Sequence, residues 1–171
     1  MKKLIALIMA VALVLSLSAC FMPNANNNSS TEDQAEAADV SSYDKDFDGL
    51  VQYIKDRNSG CTEQELYYDI VGADNGTCLI LNKNSFVEIY DFTSCIEGDS
   101  TADSAASPES QAKAQAVLAD IRERDKFRPV EDGIELTAVI TDSGKYVIAW
   151  DATRGYDYDK KVATDELKEN W

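Results

Sequence analysis

Asp44, Asp46 and Asp48 alternate into Gly49 in the stretch "DKDFDG", the spacing with which a calcium-binding loop gathers carboxylate oxygens round a hard cation. The ligands of such a loop would be Asp44, Asp46, Asp48, the carbonyl of Leu50 and Gln52, with Gly49 at the turn and a bidentate carboxylate at the twelfth position. That twelfth residue is Lys55. With a cation where the strongest ligand belongs, the aspartates are expected to open a helix, capping its N–H groups and complementing its dipole. Calcium at Asp44, Asp46 and Asp48 is the alternative, and no other cofactor is indicated.

Other chemistry is bounded by residues the chain lacks. It has no His, which excludes Ser-His-Asp and Cys-His catalysis and every imidazole metal ligand. There is no Cys-x-x-Cys, no Gly-rich phosphate loop and no nucleophile elbow. A glycosidase-like pair of carboxylates is still open, but 31 acidic residues offer many pairs and single out none. No catalytic residue is therefore expected, and a carboxylate-dependent hydrolase of envelope material is the alternative. Of the four Cys, Cys20 directly follows the apolar leader and is set apart from the folded domain. The remaining Cys61, Cys78 and Cys95 are odd in number, so one disulfide between two of them plus one free thiol is expected, with three pairings open. Cys78, inside the apolar "TCLILN", equally suits a buried strand.

The elements that would position these residues begin after a leader. Lys2 and Lys3 precede an apolar run that ends in Leu17-Ser18-Ala19-Cys20, the order of parts in a secretory signal peptide. Residues 1–19 are read as that peptide. Residues 20–42 follow as a tether, rich in Asn, Ser, Ala and acids and too poor in apolar side chains to offset its ordering entropy. Residues 43–171 then suit one domain. Loss of Lys2 and Lys3 with the leader takes the formal charge from −15 to −17. Such a surface repels phosphate backbones and anionic headgroups, so nucleic acid is not an expected partner.

Within the domain, Phe47, Leu50, Val51 and Ile54 share one face of a helix over about 46–58. Thr62 and Glu65 have capping-box spacing, which predicts a short helix over 63–71 ended by Gly72. "GTCLIL" and "SFVEIYDF" read as a hairpin with two possible registers. A three-residue loop gathers Leu79, Leu81, Val87 and Ile89 on one face, and a two-residue loop puts Cys78 and Ile80 there instead of the leucines. Residues 93–107 have loop composition. Ser107 and Pro108 then cap and start a helix to about Asp125 whose buried face is Ala114, Val117, Leu118 and Ile121. A second hairpin is expected to turn through Asp142-Ser143-Gly144. That register puts Ile134, Leu136, Ala138 and Ile140 on the face of Tyr146, Ile148 and Trp150, with Gly144 left-handed, whereas a two-residue turn would put Trp150 opposite Thr137. A closing helix would return Val162, Leu167 and Trp171 to the core. The expected class is α+β, a four-stranded antiparallel sheet from two hairpins packed with helices in the order α-α-β-β-α-β-β-α.

Leu17-Ser18-Ala19-Cys20 resembles the lipobox of bacterial lipoproteins. The succession "FDGLVQYIKD", "DIVGADNG", "FVEIYDF", "AQAVLADIRE", "KYVIAW" and a short closing helix is similar to a group of small cell-envelope lipoproteins of low-GC Gram-positive bacteria whose activity is unknown. The resemblance implies lipidation of Cys20, which would hold the chain at the extracytoplasmic face of the cell membrane through its lipid. It carries no other functional residue. "YVIAWDATRG" is also similar to the end of PepSY repeats, which implies a protease-inhibitory or regulatory module as a further alternative. The main expectation is a non-catalytic extracytoplasmic module that binds an envelope protein, peptide or glycan. Tyr156 and Tyr158 among the acids of "GYDYD", and one of Tyr67 and Tyr68, are candidates for its contact surface.

Overall fold

The computed structural model describes residues 39–98, 107–154, 162 and 164–171. The leader, Cys20, Tyr156 and Tyr158 lie outside them. The first helix, α1, spans Phe47–Arg57, and its N-cap is Asp46, whose carboxylate accepts from the Gly49 N–H at 2.8 Å. A strand β1 (Thr62–Glu65) and a 3-10 turn (Tyr68–Val71) lead into the hairpin β2 (Asn75–Asn82) and β3 (Ser85–Asp91). A short helix α2 (Thr93–Glu97) precedes α3 (Pro108–Arg124), which Ser107 caps by accepting from the Ser110 N–H. Then come β4 (Lys126–Phe127), β5 (Leu136–Ile140), β6 (Tyr146–Trp150), a 3-10 turn (Ala152–Arg154) and α4 (Thr164–Asn170).

The strands form one antiparallel sheet in the order β1-β2-β3-β6-β5-β4. The fold is α+β as expected, but the sheet has six strands rather than four, because the two edge strands, one wholly polar and the other only two residues long, carry no apolar alternation by which strands are found in a sequence. β1 takes the place of the helix predicted over 63–71. Thr62 and Glu65 do not form a capping box; all four β1 residues are exposed, and the chain turns helical only at Tyr68, ending at the left-handed Gly72. Gly72 also has no room for a side chain, since a Cβ would stand 2.3 Å from the Ser110 carbonyl oxygen.

Helices cover both faces of the sheet, which makes two cores. One joins Leu50, Tyr53 and Ile54 of α1, Leu79, Val87, Ile89, Ile148 and Trp150 of the strands, and Val162, Leu167 and Trp171. The other joins Ala114, Leu118 and Ile121 of α3 to Tyr90, Phe92, Phe127, Leu136, Ala138, Val147 and Ala149. Each fully buried Leu or Ile contributes about 1.5–3 kcal/mol of transfer free energy, so the α1 and α3 faces predicted from helical spacing are what fix these helices to the sheet. Val162, Leu167 and Trp171 return to the first core as expected.

The two hairpins resolve differently from the expectation. In the first, Leu79 pairs with Val87 and Asn82 with Ser85, with an irregularity between Ile80 and Asn82. A two-residue turn plus a bulge thus gives the face that a three-residue loop would give. In the second, Thr137 opposes Trp150 and Val139 opposes Ile148. The loop is therefore four residues, Asp142 to Lys145, and not the three expected. Leu136, Ala138 and Ile140 share a face with Val147 and Ala149, opposite to Tyr146, Ile148 and Trp150. Ile134 precedes β5 and is 53% exposed. The alternation misled because β6 is buried along its whole length, both faces being apolar. Gly144 is left-handed as predicted, at φ 79°.

Val40–Ser42, expected within the tether, form a 3-10 turn, and Val40 packs against the first core. Residues 93–107, expected as loop, include α2.

Candidate functional site

Asp44, Asp46 and Asp48 are used in three different ways. Asp46 is the N-cap, and Asp48 lies in the first turn of α1 where its charge complements the helix dipole. Asp44 acts through its backbone, its carbonyl accepting from Trp171 Nε1 at 3.2 Å. Gly49 lies directly beneath that carbonyl, where an added Cβ would come within 2.0 Å of the oxygen. Lys45 stands 3.9 Å over the Trp171 ring and donates to the Val40 carbonyl at 2.7 Å. "DKDFDG" is thus a helix start that also clasps Trp171. Among the described residues no group of three His, Cys, Asp or Glu side chains is placed to hold a metal ion.

Cys61, Cys78 and Cys95 are all free thiols, so the expected disulfide is not formed. Cys78 lies on β2 opposite Glu88, three positions along from where Cys61 enters β1, and burial pushes its thiol up to about 11 with the Glu88 charge adding to the shift. Burial also raises Cys61 and Cys95.

The most enclosed carboxylates are engaged by their own neighbours. Glu88 is raised by burial, against the opposing effect of a hydrogen bond at 2.7 Å from the Tyr90 hydroxyl, which is itself pushed far up by burial. Asp91 and Asp151 each end a strand in an Asp-x-Thr turn, accepting from the backbone N–H and hydroxyl of Thr93 and Thr153 respectively. Asp151 also accepts from Arg154 Nε at 2.7 Å, and these bonds hold its carboxyl below the ordinary range. Asp91 lacks such a cation partner in its turn, and burial raises it.

A groove of about 390 Å³ opens beside the outer edge of β5. β4 is two residues long and pairs only with Thr137 and Leu136, so among the described residues no strand covers the rest of that edge. Thr141 N donates to the Tyr146 carbonyl at 3.0 Å, toward β6. Hydrogen-bonding direction alternates along an antiparallel strand, so the N–H and C=O of Ile140 turn the other way, into the groove. The Ala138 N–H, two residues back, confirms the alternation by donating to the Asp125 carbonyl on the same outer side at 3.1 Å.

The walls of the groove are set by backbone bonds. Asp142 N donates to the Lys168 carbonyl at 2.8 Å and Ser143 N to the Trp171 carbonyl at 3.0 Å, which ties the β5–β6 loop to α4. Asp125 closes α3 in the left-handed conformation at φ 52°. Ile121, Val139 and Ile140 supply an apolar lining, and Arg122, Asp125, Asp142 and Lys168 supply two charges of each sign. All four charged residues are exposed. None of the four enters the ion pairs among the described residues, whereas Arg124, on the same helix, engages both Asp120 and Glu135.

Sequence reasoning did not single out these residues. Their only visible signal was the Asp142-Ser143-Gly144 turn, and the groove depends on a strand too short to be read. Of the tyrosines proposed for a contact surface, Tyr67 is 72% exposed, and Ile70 in the 3-10 turn that follows it is 44% exposed. Among the described residues no helix is long and apolar enough to cross a membrane. Comparison with family models, with curated proteins and with solved structures finds no match to this chain.

Proposed function

We propose that this chain is a membrane-anchored lipoprotein whose folded domain is a non-catalytic binding module at the extracytoplasmic face. The anchor follows from Leu17-Ser18-Ala19-Cys20 after a charged and apolar leader. The observation that carries the binding role is the groove beside β5, with walls held by backbone hydrogen bonds and four charged side chains outside the ion pairs of the described fold. Enclosed carboxylates that could serve as acid or base, Glu88, Asp91 and Asp151, are instead bonded to neighbouring hydroxyls. A carboxylate-dependent hydrolase is the second reading, because Asp125 and Asp142 both line the groove.

Expression in a bacterial host followed by mass spectrometry tests the anchor. A diacylglyceryl adduct on Cys20, with Cys20→Ala released from the membrane fraction, is the expected result. An unmodified Cys20 refutes it. Incubation of the chain with purified cell-wall material separates the two activities, since turnover abolished by Asp125→Asn or Asp142→Asn belongs to the hydrolase.

A further inference from the structure

We infer that the groove beside β5 binds a short zwitterionic peptide of two or three residues, laid as an added strand along the edge that β4 leaves open. This inference rests on the binding-module reading and supplies its ligand class. The outward N–H and C=O of Ile140 offer a peptide backbone one donor and one acceptor in strand geometry, which is how extended peptides add to sheet edges. Strand rise is about 3.3 Å per residue, so two or three residues match a site of local rather than strand-long extent. Its volume of about 390 Å³ falls at the low end of ligand clefts, roughly 300–1,000 Å³.

The charges lining the groove balance, two of each sign. A chain of formal charge −15 would gain most from neutralising its cations internally, as Lys55 does with Glu63, Arg124 with Asp120 and Lys145 with Glu97. Arg122 and Lys168 are left for an incoming carboxylate, and Asp125 and Asp142 for an incoming ammonium. An acid or an amine alone would meet two like charges as well as two opposite ones. A zwitterion satisfies both pairs.

The probe is trialanine with free termini, titrated into the full chain in detergent by calorimetry, beside its N-acetylated and C-amidated forms. Saturable binding is expected for trialanine, with each blocked form weakened about tenfold, the worth of one charge-assisted hydrogen bond. Arg122→Gln with Lys168→Gln should abolish the preference for a free carboxylate and keep that for a free amine. Asp125→Asn, which retains a residue tolerant of the left-handed conformation, with Asp142→Asn should do the converse. No saturable binding at about 10 mM, a concentration at which even weak ligand-grade affinity registers, or equal binding of free and blocked peptides, overturns the inference. Crosslinking of an envelope partner that survives Arg122→Gln with Lys168→Gln would also overturn it, while leaving the binding-module reading in place.

Discussion

Gly49→Ala sets two effects of known size against each other. Gly49 lies in the first turn of α1, where replacement by Ala would by helix propensity alone stabilise the protein by about 1 kcal/mol. The new methyl would stand 2.0 Å from the Asp44 carbonyl oxygen and 2.9 Å from its carbon, both backbone atoms with no rotamer by which to escape. Relieving the clash means moving Asp44, whose carbonyl holds Trp171 Nε1 at 3.2 Å. Overpacking costs about 1–3 kcal/mol and a lost hydrogen bond about 1 kcal/mol. The clash therefore outweighs propensity, and a net destabilisation of about 1–3 kcal/mol is expected, lowering the unfolding midpoint by roughly 4–12 °C for a domain of this size. Thermal unfolding of the full chain in detergent, followed by circular dichroism, measures it. Trp171→Phe removes the indole N–H, and the two changes together should cost less than their sum, because both release the same clasp. A midpoint for Gly49→Ala at or above that of the parent would refute the close approach and with it the role of this glycine.

Asp46→Ala with Asp48→Ala should cost about 1 kcal/mol of capping and leave the unfolding midpoint equally indifferent to calcium or chelator; a calcium-dependent rise in the parent that the variant loses would restore a metal site. Glu88 has its carboxyl raised by burial, so the folded state holds the proton more tightly than the unfolded chain, and stability falls as pH climbs from about 4.3, the ordinary Glu value, toward the raised one. Glu88→Gln keeps an acceptor for Tyr90 and should thus gain over the parent in urea unfolding at neutral pH and show no gain below about pH 4; a loss at neutral pH would contradict this. Unfolded chain without reductant should yield the thiols of Cys61, Cys78 and Cys95 together, Cys78 reacting last under native conditions, whereas a disulfide would leave a single one.

Both long helices were legible because a helix packed on one side writes its buried stripe at i, i+3, i+4 and i+7, and because Asp46, Ser107 and Pro108 mark their starts chemically. The edge strands were not. Thr62–Glu65 buries nothing and Lys126–Phe127 is two residues long, so neither contributes the alternation by which strands are found. The pairing that orders β1 comes from β2, through backbone groups that every sequence shares. Free thiols at Cys61, Cys78 and Cys95 were equally hidden, since spacing in the chain says nothing of Cα geometry in the fold.

The misread second hairpin and the unforeseen groove have one physical origin. Alternation assigns a strand's inward face only when the other face is wet, and β6, buried at all five positions between α1 and α3, offers no such contrast. Register must then come from the turn, where Asp142-Ser143-Gly144 suits a three-residue loop as well as the four-residue one observed. The observed register sends the Thr141 N–H to Tyr146 and turns the Ile140 backbone outward. A one-residue slip to the expected loop would reverse both and direct the Ile140 groups inward to β6. Whether the edge beside Arg122 and Lys168 can accept a strand is thus decided by a single residue in the loop. Deletion of Ser143 should force the shorter loop, pull Ile140 out of the second core and remove peptide binding together with stability; binding that survived the deletion would show that the Ile140 backbone takes no part in it.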